Sequence, residues 1–326
     1  MNYWQIAAGS NGRDYSDSFI KFGIAFVGGE EQEETIQNIK ENDIVILKIG
    51  MSQIKAAGIV VNRNGKYNGY NDKTWLNDFD GWSLPAYVYV DWHCPKDIIQ
   101  TSGLTRTTVE RSWQQQNNDI ADEIIANNPI YPFIPEPEGV RQITDKELIE
   151  NLIRKGLSVY KAQELNDSLY RIRLLAEYYT NCCTWEDIKE HETRTFLVIP
   201  LLLSLGWTEQ QIKIEYSCPA GRMDIALFTK PFHEETAKLK CIIETKDFSK
   251  GLDNVEKQAK AYAEHYPECK IIVVTNGVRY KIYIKKNDGY QEKPNSYLNI
   301  LSPTDRFPLN PKEVKGAIDA IKWLLP

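Results

Sequence analysis

Arg222-Met223-Asp224-Ile225-Ala226-Leu227-Phe228 and, after a polar connector, Cys241-Ile242-Ile243-Glu244-Thr245-Lys246 are the stretches on which the reading of this chain turns. Two short apolar runs joined by a hydrophilic connector of hairpin size predict neighbouring β-strands. Each carries an acid inside its apolar run, where an unpaired carboxylate costs free energy and fills no core. Set side by side, Asp224 and Glu244 repel unless a hard divalent cation neutralises them. Oxygen ligands with positions left for water suit Mg²⁺, with Mn²⁺ as a substitute. Lys246 follows Glu244 by two residues, so on an extended strand both point to one face. An ammonium there orients a water or stabilises charge developing on a phosphate. The pattern predicts metal-assisted phosphodiester hydrolysis.

The flanking segments supply a scaffold for that pair. Residues 187–205 predict a helix that Pro200 should kink or mark with a junction, and residues 211–216 predict a strand followed by the turn Pro219-Ala220-Gly221. A helix over 254–266 and strands over 270–277 and 279–285 follow. Helix, antiparallel strands, helix and strand give an α/β sandwich with a mixed sheet. Lys238, Lys240, Lys250, Lys257 and Lys260 cluster near it in sequence, either as a phosphate-tracking face or as a solvated one.

Upstream, Pro129, Pro132, Pro135 and Pro137 fall within twelve residues and mark a boundary. Residues 105–127 before it contain no proline or glycine and predict one helix. After it, Thr144-Asp145-Lys146-Glu147 reads as a capping box that opens a helix. A second helix is expected over 157–179. Leu148, Leu152, Tyr160, Leu165, Leu169, Ile172, Leu175 and Tyr178 recur at helical spacing, a stripe able to pack on either domain or on a second copy of the chain. The expected organisation is a two-domain α/β protein: an N-terminal domain over 1–128, a proline-rich linker and helical connector over 129–182, and a C-terminal domain over 183–326.

The N-terminal domain reads as a compact β-barrel with small helices. Strands are expected over 3–8, 23–28, 42–48, 54–61 and 86–92, helices over 14–22 and 30–41, and a tight turn at Asn62-Arg63-Asn64-Gly65. Five of the eight tryptophans (Trp4, Trp75, Trp82, Trp92, Trp113) lie in this part, and Asp78-Phe79-Asp80-Gly81-Trp82 reads as the edge of a pocket. Rings beside polar turn residues sandwich a planar base; they also form ordinary barrel cores.

Composition bounds the rest. The 326 residues are 42% hydrophobic and 26% charged, with a formal net charge of −6. The excess acid lies in residues 1–135, which hold 11 Lys+Arg against 17 Asp+Glu, so unselective adhesion to nucleic acid is not expected. No window reaches the roughly 20 apolar residues of a membrane span, and Met1-Asn2-Tyr3-Trp4-Gln5 opens no secretory leader, so a cytoplasmic protein without membrane attachment is expected. The six cysteines lack paired CxxC spacing, and His93, His191, His233 and His265 lack partners at metal-ligand spacing.

Asp224 followed by Glu244-Thr245-Lys246 resembles the D…ExK signature of the PD-(D/E)XK nuclease superfamily. Glu192-Thr193-Arg194, Pro200-Leu201-Leu202 and Leu205-Gly206-Trp207 are similar to the first helix of the nuclease domain in type I restriction-enzyme motor subunits. Gln258-Ala259-Lys260-Ala261-Tyr262 matches the QxxxY helix that follows ExK in several branches. The resemblance implies a restriction-endonuclease-like fold in which Asp224, Glu244 and the Thr245 carbonyl hold Mg²⁺. It further implies that Lys246 assists the water, Glu192 supports the metal shell, and Gln258 positions ligands or DNA. The helix-borne glutamate varies in position across the superfamily, and Glu186 or Glu190 are alternatives to Glu192. No Walker-type loop accompanies these motifs, so the chain is not expected to be a motor subunit.

A Tyr-Trp strand ending in Gly, the Gly23-Ile24 strand ending at Gly28, the Asn42-Asp43-Ile44-Val45 strand and the Gly58-Ile59-Val60 strand are similar to EVE and PUA-like barrels. That resemblance implies a reader of flipped, modified bases, with Trp4, Ser10, Asn11, Phe26 and Trp82 as candidate pocket residues. Together the two resemblances imply a modification-dependent restriction-type endonuclease acting on DNA that carries a modified base. Cutting both strands needs two active sites, hence a homodimer through residues 144–180. The alternatives are an RNA- or tRNA-cleaving or nucleotide-triggered effector nuclease, and a non-catalytic modified-nucleic-acid binder.

Overall fold

The computed structural model describes residues 1–326 except 10–13, 29, 73, 80, 81, 83, 135–138, 183–186, 253 and 288. The chain divides into two compact units, Met1–Pro137 and Glu138–Pro326, each with a mixed sheet. Among the described residues no helix is long and apolar enough to cross a membrane. The described cysteines are free thiols.

The first unit is a curled half-barrel. Its elements in chain order are β1 (Tyr3–Ala7), α1 (Ser16–Phe22), β2 (Ile24–Val27), α2 (Glu30–Ile36), β3 (Ile44–Ile49), β4 (Gln53–Val60), β5 (Asn68–Tyr70), β6 (Ala86–His93), β7 (Ile99–Gln100), β8 (Val109–Arg111) and α3 (Gln115–Asn127). The strands run β2-β6-β4-β3-β1-β8, with β5 on β6 and β7 on β4. Asn64 and Gly65 take φ of 54° and 90°, the positive values that an Asn-Gly turn supplies at little cost.

One sequence expectation fails here. The single helix over 105–127 starts only at Gln115, because Val109–Arg111 pairs antiparallel with β1 and completes the sheet edge. A β-branched residue next to an unpaired edge gained more from the ladder than from helix propensity.

The second unit contains α4 (Asp145–Ile153), α5 (Val159–Cys182), α6 (Glu190–Glu192), a π-helical turn (Thr193–Val198), α7 (Ile199–Ser204), β9 (Ile212–Cys218), β10 (Gly221–Phe228), β11 (Leu239–Thr245), α8 (Glu256–Ala263), β12 (Ile271–Thr275), β13 (Arg279–Lys286), β14 (Gly289–Tyr290), β15 (Ser296–Asn299) and α9 (Ala317–Leu324). Strand order is β14-β13-β12-β11-β10-β9, with β15 on β13; β11 and β12 are parallel and the rest antiparallel. One sheet face packs Ile225, Leu227, Ile243 and Val273 against leucines of α4, α5 and α7 and against α9. The other packs Ala226, Ile242 and Val274 against Val255, Ala259 and Tyr262 around α8.

The two helices expected as a connector are therefore part of the second unit's own core. Leu148, Leu152, Leu165, Leu169 and Ile172 lie in the same cluster as the sheet. The capping box forms as read: Thr144 Oγ1 accepts from the Glu147 amide, and Glu147 accepts from the Thr144 amide. Pro200 acts as a junction. It has no N–H to offer the carbonyl four residues back, and the preceding helix widens into the π turn instead. Phe196 O, the carbonyl so released, accepts from Arg171 Nη2 at 3.2 Å. Gly277 seats the turn: with φ at +89°, an added Cβ would lie 2.5 Å from Leu197 Cδ1.

Candidate active site

The acid-bearing strands pair as the sequence suggests, with rungs Ile225↔Ile243, Ala226↔Ile242 and Leu227↔Cys241. The rungs stop one residue short of Asp224 and Glu244, and the reason is local. On a regular strand Met223 and Ile225 share a face, yet Met223 joins the α8-side core and Ile225 the opposite one. Opposite Asp224 on β9, Glu215 takes φ of 53° in the middle of a strand. The strand turns over there, and the Asp224 carboxylate reaches the end of β11.

Asp224 Oδ2 accepts from the Thr245 amide at 2.7 Å and from Thr245 Oγ1 at 2.8 Å. Its Oδ1 faces Arg194 Nη1 at 3.2 Å. The Asp224 amide stands 3.5 Å from Glu244 Oε1. Glu244 is 1% exposed, and its carboxyl is pushed up to about 8, first by burial and then by the neighbouring Asp224 carboxylate; Lys246 opposes both. Lys246 Nζ rests 2.7 Å from Glu190 Oε1. Asp224, Glu244 and Lys246 thus lie at one end of the β10–β11 pairing, with the Lys246 charge acting on the Glu244 carboxyl.

The other expected residues fall as follows. Glu192 takes a hydrogen bond from the Lys189 amide at 3.1 Å and so closes the start of its own helix, whereas Glu190 is the helix carboxylate that meets Lys246. Glu186 lies outside the described residues. Gln258 is on the exposed side of α8 and donates to the Tyr262 hydroxyl at 2.5 Å; that ring packs against Gly221 at the start of β10. Thr245, fully buried, serves Asp224 through its amide and hydroxyl. Two of the nearby lysines are spoken for: Lys240 Nζ donates to Leu325 O and Lys260 Nζ to Gln291 O.

Glu215 was not singled out from sequence, and Arg194 was quoted only within the Glu192-Thr193-Arg194 match, with no role of its own. Arg194 is 4% exposed, and its Nη2 lies 2.7 Å from His191 Nδ1 and 3.1 Å from Glu215 Oε1. Glu215, whose other oxygen pairs with Arg222 at 3.1 Å, carries the signal that singled out Asp224: an acid set between Ile214 and Tyr216.

The donor set can be tested against a divalent cation. Among the described residues no three His, Cys, Asp or Glu side chains form a metal-holding group. A caged, all-protein site is thus not what these residues offer. Mg²⁺, however, keeps several waters and is commonly held by one or two carboxylates together with substrate phosphate. Two carboxyl groups on adjacent strands, that of Glu244 pushed up first by burial and second by Asp224, fit that mode.

In the first unit, a cavity of about 100 Å³ is lined by Tyr15, Phe19, Phe26, Trp82, Leu84 and the backbone of Gly9 and Gly28, among others. It has room for a few waters or one small planar group. Phe26 and Trp82 are brought together there. Trp4 is not among the lining residues: its indole donates to Asp43 Oδ2 at 2.9 Å inside the core. Ser10 and Asn11 lie outside the described residues. Phe79, read as part of a pocket edge, is 1% exposed and packs 4.6 Å from Phe26 and 5.1 Å from Tyr15. Its backbone pairs with that of Trp82, whose side chain lines the cavity.

Comparison with protein-family models, with curated proteins and with solved structures returned no significant match.

Proposed function

We propose that the chain is a divalent-cation-dependent endonuclease of the PD-(D/E)XK type whose first unit, of EVE/PUA-like kind, reads a modified base in DNA. The observation that carries the reading is the convergence of Asp224, the buried Glu244 and Lys246 at the end of two paired strands. Asp224 and Glu244, with the Thr245 carbonyl, are the residues that would hold Mg²⁺ or Mn²⁺. Such an ion supplies a Lewis acid for a phosphodiester oxygen and an acidified water.

The protein's own groups have definable tasks. Thr245 fixes the direction of Asp224 through two hydrogen bonds, so the carboxylate is preorganised. Lys246 spends one of its three donors on Glu190 and keeps two for an attacking water or a phosphate oxygen. The aromatic cavity supports the base-reading role: Phe26 and Trp82 provide ring faces against which a small planar group stacks.

Cleavage assays on modified DNA, unmodified DNA and RNA, with and without Mg²⁺, test this directly. Cutting of modified DNA only, and only with the ion, is the expected result. Cutting confined to RNA would transfer the reading to an effector ribonuclease. Retention of modified DNA without cutting would leave a binding protein.

A homodimer belongs to the same proposal, since two strands require two centres. On α5, Tyr170, Leu174 and Tyr178 are 64%, 49% and 54% exposed and recur every four residues, which gives one apolar ridge for a second copy. Sedimentation should show a dimer in the native chain and a monomer after Leu174→Glu. A native monomer at tens of micromolar protein would rule the ridge out as that interface.

A further inference from the structure

Arg194 has no task in the chemistry above, yet it is buried with all its partners drawn from the surroundings of the two carboxylates. Asp224 Oδ2 already accepts two hydrogen bonds from Thr245, so Oδ1 is the atom left for an ion. Arg194 Nη1 stands 3.2 Å from that same atom. A guanidinium does not give up its proton, so it either moves away from an arriving cation or stays and repels it.

The contact with Asp224 is longer than the roughly 2.7–2.9 Å of an optimal charge-assisted bond. The other arm of the fork is held on the far side, at 2.7 Å from His191 Nδ1 and 3.1 Å from Glu215 Oε1. Arginine has no acceptor, so in this contact His191 Nδ1 is the accepting atom. Glu215 holds this position with a positive φ that a non-glycine residue adopts only at a cost. One guanidinium is thus shared between a carboxylate that an ion would use and a carboxylate displaced from regular strand geometry to meet it.

We propose that Arg194 is a positioning residue that sets the divalent-cation affinity of Asp224, with Glu215 as the counter-charge that draws the guanidinium away. The inference rests on the nuclease reading, since it assumes that Asp224 is where the ion binds. It makes two opposite predictions. Without Arg194 the ion meets no competitor at Oδ1, and binding tightens. Without the Glu215 charge the guanidinium settles on Asp224, and binding weakens.

Calorimetric titration of the full-length protein with Mn²⁺ reads both signs without any turnover. Arg194→Gln should bind about tenfold more tightly than the native chain, and Arg194→Lys, which keeps the charge, within about threefold of it. Glu215→Gln should bind about three- to tenfold more weakly. A merely structural role for Arg194 and Glu215 would weaken binding in both. Should Arg194→Gln fail to fold, Arg194→Lys and Glu215→Gln together still decide: native-like binding by the first with weaker binding by the second is expected, whereas a merely structural role weakens both, and the Glu215 side chain is 34% exposed, so its loss is tolerable. Unchanged or weaker binding by folded Arg194→Gln, or unchanged or tighter binding by Glu215→Gln, overturns the inference. If the native chain gives no heat that Asp224→Ala abolishes, the nuclease reading falls and takes this inference with it. If it binds and cuts while the two variants miss their signs, only the inference falls.

Discussion

Lys246→Met is expected to lower Mg²⁺-dependent cleavage at least about a thousandfold while moving the thermal midpoint by no more than a few degrees. The two halves of that expectation come from different observations. Lys246 follows the end of β11 beside the buried Glu244, and its charge acts on that carboxyl. Its partner Glu190 is 38% exposed and Lys246 itself 25%, and a half-solvated pair of this kind contributes at most about 1 kcal/mol. Methionine keeps most of the stem and its packing.

Asp224→Ala should abolish cleavage as well, but with a visible stability cost. It strips two partners from the buried Thr245 and one from Arg194, which then lies buried with one charge fewer around it. The informative variant is therefore Lys246→Met, in which activity and stability separate. Both variants should bind modified DNA as the native chain does, because the aromatic cavity belongs to the other unit. Cleavage within about tenfold of native by both variants would remove hydrolysis at this site from consideration.

How much of this was legible beforehand varies with the range of the interactions. The capping box at Thr144, the strands around Asp224 and Glu244 and the split near the proline-rich stretch depend on local patterns, and local patterns are written in sequence. Val109–Arg111 was misread because what makes it a strand is the edge of β1, about a hundred residues earlier. The membership of α4 and α5 in the second unit is a similar case: their apolar stripe was visible, but the surface that it covers was not. At the candidate site, an acid inside an apolar run was the signal that drew attention to Asp224 and Glu244, which the structure places on adjacent strands. The same signal at Glu215 passed unnoticed, since its meaning depends on Arg194 arriving from a helix. The choice among Glu186, Glu190 and Glu192 also lay beyond reach. It turns on the direction of one short helical turn, which in this structure points Glu190 at Lys246 and Glu192 at its own N-terminus.

Cation binding should follow pH steeply between about 6 and 8, and Glu244 is the reason. Its carboxyl is pushed from the ordinary 4.5 to about 8 in the ion-free protein, by burial first and by Asp224 second. A carboxyl with a raised pKa holds its proton more tightly in the folded chain than in the unfolded one. Its favourable contribution to folding is therefore complete below pH 4.5 and is lost as pH rises through about 8. The size is bounded by the shift, at most about 5 kcal/mol, and relaxation around a charged Glu244 will reduce it. An arriving cation must displace that proton. At pH 7 binding should release nearly one proton per ion, and affinity should rise about tenfold per pH unit until it levels off near 8. Titrations in buffers of different ionisation enthalpy count the proton, and urea unfolding from pH 5 to 8 measures the ion-free slope. Glu244→Gln should remove the proton release together with the ion and should flatten the unfolding slope, because an amide of the same shape neither charges nor repels Asp224. A native affinity that stays level from pH 6 to 8, or a Glu244→Gln chain with the native slope, would mean that the buried proton sits elsewhere and that Glu244 meets no cation.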